Sequence, residues 1–216
     1  MAQSKLKVHF VLEGNEEETL FELLEYFYKG INLEITYINC GGYGNIAPFY
    51  YDAYSSENYD LVLCVYDVDY DYEPSDSPFN QIRTELGRIL GNDKRVNNIS
   101  LCNNPNGLLI ILLGYDTVDK FQNMHKGKSK NTDLIHKYCE KIGNKKKYDA
   151  SDWQLNLLKQ DYYDGKASFK KILENQNEIS EKYQSKNISS NIIPFIRAIL
   201  DDNVEYFNQI IKKISN

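Results

Sequence analysis

No apolar run in the 216-residue chain approaches the ~20 residues that a membrane-spanning helix needs. No secretory leader is expected either. The apolar stretch in MAQSKLKVHFVLEGN is short and ends in acids, so the chain is expected to be cytosolic. Cysteine is sparse: Cys40, Cys64, Cys102 and Cys139 are scattered with no C-x-x-C pair, which excludes a zinc ribbon and leaves buried free thiols as the expectation. His9, His125 and His136 lack metal-ligand spacing, and none is assigned a role. A surplus of positive charge is also missing. The net charge of −6 argues against indiscriminate binding of nucleic acid.

What is present is a succession of strand and helix signals. Residues 5–13, KLKVHFVLE, read as a first strand ending at Glu13, and Gly14 permits a tight turn after it. Residues 16–29 carry Leu20, Leu23, Leu24 and Phe27 at helical spacing, with Glu16, Glu17 and Glu18 where the helix dipole favours acids. A second strand fits 33–40. It ends in Gly41-Gly42-Tyr43-Gly44-Asn45, whose spacing is not that of a P-loop and which reads better as a simple strand-to-helix turn. A helix is expected over 45–56 and a third strand over 60–67. A loop should cover 70–78, a helix 79–91 and a fourth strand 96–102. Asn104 and Pro105 start a segment, 108–115, that fits a buried helix or a fifth strand. Helices are expected near 131–142 and over 151–160, 165–185 and 191–214. The pattern is α/β with a mainly parallel sheet flanked by helices and a helical C-terminal part, divided as 1–115 and 116–216.

Chemistry concentrates after the third strand. The six apolar residues Leu61 to Tyr66 suit a strand buried on both faces, and Asp67, Asp69 and Asp71 follow at alternate positions. Carboxylates at the carboxyl end of a buried parallel strand lie where open α/β sheets bind ligands. Magnesium is a hard cation commonly held by one or two carboxylates plus substrate phosphate. The plain alternative is a solvated acidic loop. Lysines provide the opposite charge: nine of them between Lys120 and Lys147, against Asp133 and Glu140, make that segment locally about +7. Such a stretch fits a phosphate-gripping patch or an ordinary soluble face.

The pieces VLEGNEEETLF (11–21), INCGGYGNI (38–46) and VYDVDYD (65–71), in that order, resemble a Toprim domain, most closely that of the OLD and RloB-like groups. CNNPNGLLIILLGY (102–115) is similar to a further RloB-like motif. The resemblance covers about residues 6–115. It implies a Toprim-like, Rossmann-like sheet and a nuclease that cuts phosphodiester bonds with Mg2+ or Mn2+, as an effector in defence against phage. It implies Glu13, Asp67 and Asp69 as catalytic residues and metal ligands, with Glu17 matching the family's second acid; by the chemistry of the residues, Glu17 or Asp71 would help to hold a second ion. Lys126, Lys128, Lys130, Lys145, Lys146 and Lys147 would grip nucleic acid. No membrane is expected, a homo-oligomer is left open, and a partner such as an ATPase belongs to the module reading below. The chain departs from the family in its last motif, where Leu108, Ile110 and Gly114 stand in place of Glu, Trp and His. A catalytically degenerate interaction module is therefore the second reading. A haloacid-dehalogenase-like phosphatase with Asp67 as nucleophile is the third, although its D-x-D would follow the first strand and would leave Glu13 unexplained.

Overall fold

The computed structural model describes residues 4–67, 84, 85, 88, 98–100, 108, 112, 151–177 and 192–215. They form two compact units, one of residues 1–101 with 191–216 and one of residues 102–190. The sequence pattern suggests a division near 115, whereas the contacts return the final helices to the sheet unit.

The sheet unit runs β1 (Leu6–Leu12), α1 (Asn15–Phe27), β2 (Leu33–Asn39), a short 3-10 turn (Tyr43–Asn45), α2 (Ile46–Ser55), β3 (Leu61–Tyr66) and β4 (Asn98–Ser100). All pairings are parallel and the strand order is β2-β1-β3-β4. Alternation along the strands sorts the side chains into two faces. On one face Phe10 packs against Phe21 of α1, with ring centroids 4.5 Å apart, and Phe21 reaches Tyr37 at 5.7 Å. On the other, Val11, Val62, Cys64 and Tyr66 enclose Ile46, Ala47 and Tyr50 of α2. Every residue of β3 is buried, as its unbroken apolar run requires. The fold is α/β and Rossmann-like, with helices on both faces of a parallel sheet.

Two helices close this unit, α5 (Ile192–Leu200) and α6 (Val204–Ser215). The sequence pattern predicts one helix over 191–214, and the structure breaks it at residues 201–203. Asp202 takes a left-handed φ of 52°. Its carboxylate accepts the N–H groups of Ile31 (3.0 Å), Asn32 (3.0 Å) and Leu33 (3.1 Å), together with the Tyr28 hydroxyl. One side chain thereby satisfies the backbone between α1 and β2. Partial burial alone would raise this carboxyl. The Tyr28 hydroxyl and the Ile31 and Asn32 N–H groups outweigh that and hold it at about 2. Gly30 passes so close beneath that any Cβ there would overlap Asp202 and Tyr28. Asp202→Ala is expected to cost about 1.5–3 kcal/mol, the range for hydrogen bonds to a charged acceptor. Gly30→Ala should cost about 1–3 kcal/mol through overpacking. Since the folded carboxyl titrates below its ordinary value of 3.8, this contribution is complete above about pH 4 and is lost as pH falls towards 2. Urea titrations of both variants at neutral pH and at pH 3 check the two effects.

The second unit is helical where it is described. It contains α3 (Ser151–Tyr163) and α4 (Phe169–Glu174), and Leu108 and Leu112 are helical and buried. That settles helix over strand at those two positions. Tyr162 packs against the Phe169 ring, centroids 4.9 Å apart, and donates its hydroxyl to the Leu112 carbonyl at 3.1 Å. The helix predicted over 165–185 begins only at Phe169. Gly165, at φ 71°, makes a turn first, and Ser168 caps the helix by accepting the Lys171 N–H at 3.3 Å.

Candidate functional site

Glu13 is the first residue beyond β1 and Asp67 the first beyond β3. Leu12 stands opposite Val65 in the parallel register, so the two acids emerge side by side at one rim of the sheet. Glu13 is held by its backbone from both sides. Its N–H donates to the Val65 carbonyl at 2.9 Å, and its carbonyl accepts the Gly42 N–H at 2.7 Å. Its side chain spans the gap: Oε2 accepts the Asp67 N–H at 2.9 Å. The chain leaves β1 over the α1 face and enters β3 from the α2 face. The strand order thus makes the β1–β3 rim the switch point, the place where open α/β sheets open a crevice for ligands.

The start of α1 adds two more carboxylates. Gly14 is its N-cap and has no side chain to offer, so Glu17 reaches back and accepts the Gly14 N–H at 2.9 Å. Glu17 is only 4% exposed. Burial and the charge of Glu13 push it up to about 7, against the pull of its hydrogen bonds. Glu16 goes further. Its Oε2 is buried and accepts no hydrogen bond among the described residues. Burial, then the charges of Glu17 and Glu13, raise it to about 8. Glu18, the third acid of the run, is occupied elsewhere, accepting the Asn39 amide at 2.8 Å. Read from sequence, Glu16 is one more first-turn acid. The available signal was the run of three glutamates one glycine beyond a strand-end glutamate, more negative charge than a dipole needs.

The glycine turn is a turn, not a cradle. Gly41 and Gly42 have φ of 71° and 134°, which an L side chain rarely adopts. Their N–H groups are used internally, by the Asn39 side chain at 2.9 Å and the Glu13 carbonyl at 2.7 Å. Neither is therefore offered to a phosphate. The buried thiols are inert: burial pushes Cys40 up to about 11 and Cys64 well above its ordinary value.

The structure thus brings Glu13, Glu16 and Glu17 into one electrostatic group and joins Glu13 to Asp67 by a hydrogen bond. Asp69, Asp71, Lys126, Lys128, Lys130, Lys145, Lys146 and Lys147 lie outside the described residues. Among the described residues no group of three or more histidines, cysteines or acids has the arrangement of a metal cage. Comparison with family models, with curated proteins and with solved structures returned no match.

Proposed function

We propose that the chain is a Toprim-type nuclease that hydrolyses phosphodiester bonds of nucleic acid with Mg2+ or Mn2+, as an effector in defence against phage. The observation that carries this reading is the 2.9 Å bond from the Asp67 N–H to Glu13 Oε2, at the switch point of a parallel sheet. The donor set suits a hard divalent ion. It consists of carboxylate oxygens only, and Glu16 Oε2 is buried without a hydrogen-bond donor among the described residues. Glu13 and Asp67 would hold the ion together with Asp69, while Glu16, Glu17 and Asp71 supply further negative charge. A divalent cation there stabilises the charge developing on phosphate oxygens and lowers the pKa of a bound water. The chain's own part is orientation. The Asp67 amide fixes the Glu13 carboxylate at the rim. The lysines from Lys126 to Lys147 attract the phosphate backbone, with an affinity that falls steeply with salt.

The test is cleavage of labelled DNA and RNA in Mg2+ or Mn2+, together with calorimetric titration by Mn2+. Wild type is expected to cut and to bind the ion, and Asp67→Ala to do neither. Equal cutting by the two proteins discards the assignment. One observation favours a second reading, an interaction module working with a partner ATPase. Leu108, which stands where the resemblance expects a glutamate, is helical and wholly buried. Mn2+ titration without heat, or with heat unchanged in Asp67→Ala, favours that module.

A further inference from the structure

At the opposite end of the sheet, where β1 and β3 begin, a half-open cavity of about 580 Å³ lies between α2, β3 and α6. Its wall includes Tyr54, Tyr59, Ile211 and Ile214, together with the acidic residues Glu57 and Asp60. Among the described residues no lysine, arginine or histidine lines it. Neither carboxylate forms an ion pair among the described residues. The wall is built rather than incidental. Asp60 is fixed by an exchange with Lys7, whose N–H it accepts at 2.8 Å and whose carbonyl takes the Asp60 N–H at 2.9 Å. Tyr59 stacks on His9 at 4.4 Å, and His9 is in turn bonded to the Thr36 hydroxyl at 2.8 Å. Burial lowers the pKa of His9, which favours the neutral ring and brings no competing charge behind Tyr59. Glu57 is held in a left-handed backbone, φ 54°, a costly conformation for a residue other than glycine.

We propose that this cavity binds an organic cation, an ammonium or guanidinium head on an apolar stem. The carboxylates take the head through charge-assisted hydrogen bonds. The tyrosine rings offer their negative faces to the same charge, and the two isoleucines take the stem. A bare metal ion has no use for the apolar wall, and a neutral ligand leaves the charges of Glu57 and Asp60 unmatched by any ion pair among the described residues. Because the walls are pre-positioned, binding orders little of the protein. The site lies at the far end of the strands from Glu13 and Asp67, so the cation is not a reactant of the proposed hydrolysis.

The experiment follows tyrosine and isoleucine resonances of the full chain during titration with butylguanidinium, with 1-butanol, and with a short arginine-containing peptide. Saturable shifts with butylguanidinium or the peptide, and none with 1-butanol, are expected. Glu57→Gln and Asp60→Asn should each weaken binding by about tenfold while unfolding at the wild-type temperature, since asparagine still accepts the Lys7 N–H. A preference for the peptide identifies the cation as a partner's side chain, and a preference for butylguanidinium identifies it as a free amine or guanidine. The proposal falls if neither cation saturates, if 1-butanol binds as well, or if the two variants bind like wild type. None of these outcomes depends on nuclease activity.

Discussion

Glu13→Gln is expected to lower metal-dependent cleavage by a hundredfold or more, within the ~10²–10⁴ range for losing a positioned acid or base. The substitution is chosen for what it keeps. Glutamine retains an oxygen that can accept the Asp67 N–H, now 2.9 Å from Glu13 Oε2, and the backbone bonds of residue 13 to Val65 and Gly42 do not involve its side chain. The β1–β3 rim therefore stays closed while the negative charge disappears. Glu13→Leu separates the two roles. It strands the Asp67 N–H in a partly buried position, at a cost of about 1–3 kcal/mol, and removes the charge as well. Single-turnover cleavage and thermal unfolding, measured on both variants, should show one loss in Gln and two in Leu. A Gln variant that cuts at the wild-type rate would leave Glu13 a structural tie between strand ends and nothing more.

Much of this geometry is legible before folding. The boundaries of β1, α1, β2, α2 and β3 fall within two residues of their sequence signals, because period-two and helical patterns there coincide with real burial. The meeting of Glu13 and Asp67 follows from those boundaries: two parallel neighbours in register must end together. What local pattern does not carry is long-range. The break between α5 and α6 depends on N–H groups about 170 residues away that converge on one carboxylate. Asp201-Asp202-Asn203 was the only local hint, a run of turn formers inside a helical period. Glu16 was missed for a related reason. Its place in the first turn is ordinary, and only the packing around it makes its carboxylate costly. Glu17, assigned as a metal ligand from the resemblance, is used first as a cap on Gly14.

That cost gives a pH dependence of definite sign. Burial, compounded by the charges of Glu17 and Glu13, lifts Glu16 to about 8, and burial with the charge of Glu13 lifts Glu17 to about 7, above the ordinary value of 4.5. From about pH 4.5 to 8, then, the folded chain holds protons that the unfolded chain has released. Stability without divalent ions must fall across that window and level off above it. A loss on the order of 2–4 kcal/mol between pH 5 and pH 8 is expected. For a chain of this size that is about 5–12 °C in the unfolding midpoint. Glu16→Gln should flatten the curve and stabilise the metal-free protein at pH 8, with little effect at pH 5. Mn2+ should do the same for wild type, because a bound cation favours the ionised carboxylates that folding alone disfavours, and more strongly as pH rises. The two treatments should not add: in Glu16→Gln the gain from Mn2+ at pH 8 shrinks. Melting curves at pH 5 and pH 8, with and without Mn2+, test all of this in one set. A flat wild-type curve would mean that the acids at the head of α1 are solvated and need no cation. A falling curve that Mn2+ fails to lift would mean that the strain is real but serves something other than a metal.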